Sequence, residues 1–580
     1  MKYAIKRQLS NAEQKEFAVF SPLLGHLLFH RGITSGENAQ EFINPDYDRG
    51  IHDPFLLKDN EKAADRIVSA IKNNERIAIY ADYDADGIPG AAMWSDFFHR
   101  IGFKNFSIYI PHRHDEGFGL NREAVEQLAG ESVKLLVTLD CGISDFEPVE
   151  RANELHLEVI ITDHHEAPEK LPNAFAIVDH KQLGCEYPDK NLCGTAVGFK
   201  LIQAILAKDR FGLKEGLEKW LLDLVAMATL SDMVPLTGEN RIFAYYGLSV
   251  LRKTPRKGLT RLLEKLKIHK RYLTEDDIAF MITPRINAAS RMGVPMDAFK
   301  LLAAETDEEA GIQAEHLDKI NNERKGVVAS LVKEIKKTIR DRYGDGSGTG
   351  RIPSVIVLGN PAWRPSLLGL AANTCAEAYD RPVFLWGRDG DNAIKGSCRS
   401  EGRTHVVELM RAVPTGTFAQ FGGHKHSGGF AVANESIHYL EQRLNNAACV
   451  IPAKAGIQNS TEIDQCSIDA ELELDSLNWD LYNDIAKLAP FGMANPKPVF
   501  LFRNVIPNSL RRFGKGNEHL ELIFKKSNGE KISAISFFGA ENDWAKKFKP
   551  GNKVDLTASL DKSYFKREPE LRLRVIDVIN

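Results

Sequence analysis

Across 580 residues the chain carries only seven cysteines, six tryptophans and nine methionines. The cysteines (Cys141, Cys185, Cys193, Cys375, Cys398, Cys449 and Cys466) are odd in number, scattered, and form no C-x-x-C pair. That excludes a disulfide framework and a zinc knuckle, and reduced thiols are expected. No run approaches the roughly 18 apolar residues of a membrane helix, and the opening MKYAIKRQLSNAEQKEF holds no apolar signal stretch. A cytoplasmic protein without a membrane partner is therefore expected. Excess positive charge is missing as well, because 75 Lys+Arg against 79 Asp+Glu leave a net charge of -4. No global positive field marks a nucleic-acid binder. Residues 501–580 are the exception, with 16 Lys+Arg against 10 Asp+Glu, so this end could face phosphates. No dimerisation pattern stands out, and a monomer is the default.

What is present is an ordinary globular composition, 43% hydrophobic and 27% charged, on a chain too long for one core. Three or four domains are expected. Residues 1 to about 55 read as short helical pieces around Pro22 and Pro45, a packing extension without a chemical grouping. From Glu61, apolar strands alternate with amphipathic helices: Arg76–Tyr80, Phe106–Ile110, Lys134–Leu139 and Leu157–Ile161. This predicts an α/β, doubly wound parallel sheet. Open parallel sheets bind ligands outside the carboxyl ends of their strands, so Asp82, Asp140 and Asp163, each ending a strand, should converge. Residues 215 to 340 read as a helical connector, and the Gly-rich 343–350 as a flexible linker rather than a phosphate loop, since a strand follows it. A second, smaller α/β unit covers about 352–448, and 445–461 reads as a further linker. Five short alternating segments beyond 495 suggest a small OB-type β-barrel, a fold that often binds single strands.

The chemistry-bearing residues gather at the predicted strand ends. Asp82-Tyr-Asp84-Ala-Asp86-Gly places three carboxylates at alternating positions, and hard oxygen ligands suit Mg²⁺ or Mn²⁺. A solvated acidic turn is the plain alternative. Asp163-His164-His165 adds imidazoles at a strand end that would be buried, and Asp232 closes a strongly apolar helix. Together Asp82, Asp84, Asp140, His164 and Asp232 match a two-metal hydrolase, in which ions about 3.5 to 4 Å apart activate water and stabilise a leaving oxygen. Phosphoester hydrolysis is the natural reaction. Gly-flanked His424, the Ser397–Arg399 segment, and the guanidinium forks of Arg285 and Arg291 are candidate phosphate contacts, although each alone is more often structural.

In chain order the motifs DYDADG (82–87), TLDCG (138–142), TDHH (162–165), SDMVPL (231–236), PRINAASR (284–291), KGSCRS (395–400) and FGGH (421–424) resemble the RecJ family of the DHH phosphoesterase superfamily. PFGMANPKPVF (490–500) resembles the entry to that family's OB domain. The resemblance implies a 5′→3′ exonuclease that releases mononucleotides from single-stranded DNA in recombination and repair, with two Mn²⁺ or Mg²⁺ ions. It implies Asp82, Asp84, Asp140, His164 and Asp232 as ligands, Asp84 or Asp140 bridging. Asp86, Asp163 and His165 would support the metals or touch the scissile phosphate. Ser397, Arg399 and His424 would reach across the cleft, with Arg113, Arg285 and Arg291 holding the terminal phosphate. A single-strand-binding protein and a helicase are partners by family analogy. The implied domains are an extension (1–55), a DHH domain (56–270), a helical connector (271–342), a DHH-associated domain (343–448), a linker (449–461) and an OB domain (462–580).

The chain departs from the family pattern at Pro89 and Ala91, where small hydroxyl residues are usual, and at Ser290 and Cys398, where glycine is common. Arg364 replaces a customary histidine, and Asp179-His180 a customary Asn-Pro. Two other functions stay open on sequence alone. The same site could cleave short oligonucleotides or cyclic dinucleotides, or the chain could be a non-catalytic single-strand-binding scaffold.

Overall fold

The computed structural model describes the chain except residues 1–2, 345–351, 389–392, 402–403, 424, 455–465, 515, 549–550, 565–567 and 580. The described residues fall into two compact units: Asp53–Asp232 with Gly247–Thr461, and Met1–His52 with Met233–Tyr246 and Glu462–Asn580.

In the first unit the apolar runs form five parallel strands in the spatial order Phe106–Tyr109, Ile77–Ala81, Leu135–Leu139, Glu158–Thr162, Ala176–Val178. Every residue of Ile77–Ala81 and Leu135–Leu139 is buried, as a sheet covered on both faces requires. Helices Arg122–Gly130 and Phe146–Glu154 pack Val125, Leu128 and Val149 against Tyr80, Leu136 and Ile161. Helices Gly87–Arg100 and Gly194–Lys208 approach Leu139, whose side chain points to the other face. The smaller α/β domain has the strand order Phe418–Gly423, Ser427–Val432, Ile394–Arg399, Val383–Arg388, Ile356–Gly359, of which only the last two run parallel.

Between the two sheets the chain is helical, as its periodicity predicts, and ends in the 37-residue helix Asp307–Tyr343. Thr306 and Glu309 cap its start reciprocally, and Arg340 and Arg342 lie in its last turn, where they complement the helix dipole. Of the Gly-rich break, residues 345–350 lie outside the described residues. So do residues 455–461 of the second predicted linker, whose earlier part continues the helix Leu440–Lys454. Gly326 is exposed in the long helix with nothing within 4 Å of a Cβ built there. Gly326→Ala is therefore expected to stabilise the unit by about 1 kcal/mol, the difference in helix propensity. Thermal unfolding followed by circular dichroism checks this, and a lowered midpoint would show a packing role for the bare backbone.

In the second unit seven strands form one sheet, in the order Ala470–Glu471, Phe500–Val505, Val554–Ser563, Glu570–Ile579, Lys531–Ser536, His519–Lys525, Pro507–Phe513. Sequence periodicity finds five of these and misses Ala470–Glu471 and Pro507–Phe513. The latter is an edge strand with only Pro507 buried, so its Arg511 and Arg512 carry no alternating apolar signal. The N-terminal segment is part of this unit. Its strand Tyr3–Ile5 pairs in parallel with Cys466–Ile468, and Leu24, Leu27 and Leu28 share a core with Phe500, Phe502 and Leu522. Among the described residues no helix is long and apolar enough to cross a membrane.

Candidate active site

The parallel ladder continues one residue beyond each of three strands. Asp82 N–H donates to Leu139 O (3.1 Å), Asp140 N–H to Thr162 O (3.0 Å) and Asp163 N–H to Val178 O (3.1 Å). The three aspartates are thus set side by side by backbone register, before any side chain contributes. Asp140 sits at φ 63°, a left-handed conformation that costs energy for a non-glycine residue and is concentrated at functional sites. Thr138 Oγ1 donates to Cys141 O (2.7 Å) and holds the turn that follows.

Two groups of potential ligand atoms lie together here, Asp82/Asp84/Asp140 and Asp86/His164/Asp232, each within 4.8 Å. A third group, Asp140, His164 and His165, links them, sharing Asp140 with the first and His164 with the second. Asp140 Oδ1 lies 3.0 Å from His164 Nε2, yet among the described residues neither Asp140 Oδ1 nor Asp82 Oδ1 has a hydrogen-bond partner, and both are buried. Orphaned buried carboxylate oxygens are costly unless a cation takes the place of the missing donors. Burial, reinforced by neighbouring carboxylates, pushes Asp82 and Asp140 well above the usual carboxylate range. Removal from bulk water and the Asp86 and Asp84 charges raise Asp232 in the same way. Burial and the adjacent His165 hold His164 down at about 3, so it is the neutral imidazole that a metal requires. This donor set, several carboxylates and one neutral imidazole, fits Mn²⁺ or Mg²⁺.

Asp163 is held differently. Its Oδ2 accepts from Ile143 N (3.0 Å), and its Oδ1 from His164 N (2.7 Å), His165 N (3.2 Å) and His165 Nδ1 (2.7 Å). It fixes the turn that aims both histidines. Burial opposes charge on both partners, but their hydrogen bond overrides it, drawing Asp163 down to about 2 and His165 up to about 9. Asp86 is engaged too: Oδ2 accepts from Gly194 N (2.6 Å) and Oδ1 from Thr195 N (2.8 Å). It caps the first amides of the helix Gly194–Lys208 while lying among the ligands. Asn287 Oδ1 accepts from Ala85 N (2.9 Å) and Asp84 Oδ1 from Asp86 N (2.8 Å), which pins the DYDADG loop.

A cluster of guanidinium groups stands beside the carboxylates. Arg113 lies over the Tyr83 ring (4.7 Å), and Arg291 donates to Ser366 O (2.8 Å). Burial, then the positive charges of Arg113, Arg324 and Arg399, lower Arg291 to about 9. Arg113, Arg291 and Arg399 form no salt bridge among the described residues, and the opposing charges of Asp82 and Asp84 at the sheet edge are felt by Arg113 and Arg291. Ser397 and Arg399 share one face of their strand and meet across Gly369, where a Cβ would lie 2.9 Å from Arg399 Nη2 and 3.6 Å from Ser397 Oγ. Arg285 is not brought to this cluster. Its Nε and Nη2 donate to Asp318 Oδ1 and its Nη1 to Met281 O, so it ties helices together. His424 lies outside the described residues. Sequence reasoning missed Gly194, Thr195, Asn287 and Arg324. Only Asn287 had a signal, its place inside PRINAASR.

A phosphoesterase of the DHH type is the class that this fold and its aspartate-lined sheet edge define. The pattern of the DHH family, N-terminal domain, matches residues 76–229, that of the DHHA1 domain residues 353–449, and that of the RecJ OB domain residues 468–577. The chain is 31% identical over 558 residues to the single-stranded-DNA-specific exonuclease RecJ of Bacillus subtilis (strain 168), covering 96% of this chain and 68% of that protein. It is 29% identical over 580 residues to RecJ of Escherichia coli (strain K12), covering 97% and 96%. The crystal structure of RecJ in complex with Mn²⁺ from Thermus thermophilus matches with a TM-score of 0.80 at 25% identity, covering 100% of this chain and 79% of that one. The chain belongs to the RecJ family.

Proposed function

We propose that this chain is a metal-dependent 5′→3′ exonuclease of single-stranded DNA that releases mononucleotides in recombination and repair. The observation that carries the reading is the pair of ligand groups linked through Asp140 and His164, with two buried carboxylate oxygens that lack donors among the described residues. Asp82, Asp84, Asp140, His164 and Asp232 would hold two ions. Mn²⁺ or Mg²⁺ bound there would activate the attacking water and stabilise the departing 3′ oxygen.

The chain's own groups set the rest. Asp163 orients His164 and His165, Asp86 fixes the metal loop to a helix, and Arg113, Arg291, Ser397 and Arg399 hold the terminal phosphate. In the division of labour we assign, residues 56–270 carry the metals, 343–448 bring Ser397 and Arg399 to the anion contacts of Arg113 and Arg291, and 462–580 guide the strand. A cytoplasmic location, and a single-strand-binding protein or helicase as partner, fit that role. The test is digestion of one single strand, labelled at either end in separate reactions, with Mn²⁺, Mg²⁺ or chelator, beside a duplex and a dinucleotide. Mononucleotides from the 5′ end, abolished by chelator, are expected. Cleavage of the dinucleotide alone, or binding without cleavage, would overturn the reading.

A further inference from the structure

A cavity of about 320 Å³ lies beside the arginine cluster, within the same compact unit. Its wall is built from the residues that flank the cluster in sequence. His112 and His114 lie on either side of Arg113, Met292 and Gly293 follow Arg291, and Arg364 stands two positions before Ser366. These segments are tied together. Arg291 Nη1 donates to Ser366 O (2.8 Å), Ser366 Oγ donates to Arg291 O (3.1 Å), and His114 Nε2 lies 3.3 Å from the same carbonyl.

Two guanidinium groups line the cavity. Arg364 is exposed and forms no salt bridge among the described residues, and Arg388 donates from Nη2 to Asn434 Oδ1 (3.0 Å) among its contacts. Among the described residues the wall holds one carboxylate, Asp115, whose Oδ2 lies 2.5 Å from His112 Nδ1. A terminal phosphate held by Arg113, Arg291 and Arg399 therefore has a second basic chamber next to it, and guanidinium forks are well suited to phosphate oxygens. A 5′-monophosphate leaves that chamber unused.

We propose that the cavity receives the outer phosphates of a strand that begins with a 5′-triphosphate, so that the enzyme starts on such ends as well as on monophosphate ends. This rests on the exonuclease reading above. In the first turnover water oxygen bonds to the scissile phosphorus and the P–O3′ bond breaks. The 3′ oxygen takes a proton, and the product is a nucleoside 5′-triphosphate with a free 3′-hydroxyl. The shortened strand begins with a 5′-monophosphate, so later turnovers do not involve the cavity.

The experiment compares first-turnover release from one single-stranded sequence carrying a 5′-triphosphate or a 5′-monophosphate, with Mn²⁺, in wild type and Arg364→Glu. Arg364 is exposed, so the variant is expected to fold. Wild type should release the nucleoside triphosphate, and Arg364→Glu should slow that release about tenfold while changing the monophosphate end less than about twofold, the reversal of one charge-assisted contact. Refusal of the triphosphate end by an enzyme that digests the monophosphate end would overturn the cavity's role and leave the exonuclease standing. An equal effect of Arg364→Glu on both ends, or none on either, would overturn it as well. Release from neither end would be the failure of the exonuclease reading itself.

Discussion

An Asp140→Asn chain is expected to lose roughly 10³-fold in nuclease rate, the scale of removing one preorganised electrostatic contact, while its metal-free form becomes more stable. The two effects have one cause. Asp140 is buried beside Asp82, Asp84 and Asp86, and burial with those charges holds it far above its ordinary range. Removing its charge relieves repulsion in the metal-free form and takes away a ligand of the Asp82/Asp84/Asp140 group that also meets His164. Asn is the right replacement because Asp140 has φ 63°, a conformation that asparagine tolerates and alanine does not. A gain of about 1 kcal/mol would raise the melting midpoint by roughly 2 to 4 °C in a domain of this size. Thermal melts with chelator and with Mn²⁺ separate the terms: wild type should gain stability from Mn²⁺ and Asp140→Asn should gain little. A variant that melts lower without metal, yet is stabilised by Mn²⁺ as wild type is, would remove Asp140 from the metal site.

What could be read in the sequence follows from how locally each feature is encoded. Asp82, Asp140 and Asp163 were legible because each ends an apolar strand, and parallel strands bring such ends to one edge. Arg285 and Arg291 could not be told apart by type. Both lie in PRINAASR, but six residues on a helix separate their directions by about 120°, so Arg285 reaches Asp318 while Arg291 reaches Ser366 and the arginine cluster. The supporting roles of Asp163 and Asp86 could be named but not specified, because sequence shows carboxylates and not the amides they accept from.

The second unit makes the same point at longer range. His519–Lys525 was legible because Leu520, Leu522 and Phe524 alternate inward with polar residues. The role of residues 1–52 was not, because their partner strand and shared core lie more than 400 positions downstream, and short helices carry no mark of what they pack on. Deleting residues 462–580 alone would therefore strip the N-terminal helices of their core, and a clean test of strand guidance must account for them.

Gly194→Ala, a single added methyl group, is expected to cost about 100-fold or more in rate, the loss that follows a displacement near 1 Å in a catalytic constellation. A Cβ at Gly194 would lie 2.5 Å from Asp140 Cβ and 2.7 Å from Asp140 Oδ1, closer than atoms tolerate. Asp140 cannot yield without breaking the ladder bond to Thr162 O, so the helix start must retreat. That helix start supplies the Gly194 and Thr195 amides to Asp86, and Thr195 Oγ1 donates to Asp86 O (2.6 Å). One methyl therefore disturbs both ligand groups, although residue 194 bears no reactive atom. Stability should fall by about 1 to 3 kcal/mol, as overpacking does, so the chain stays folded and the loss of rate can be assigned to the site. Mn²⁺ titration by calorimetry should show weaker binding in the folded variant. Wild-type affinity together with wild-type rate would mean that the helix start adjusts freely, and that its contact with Asp86 does not position the metal loop.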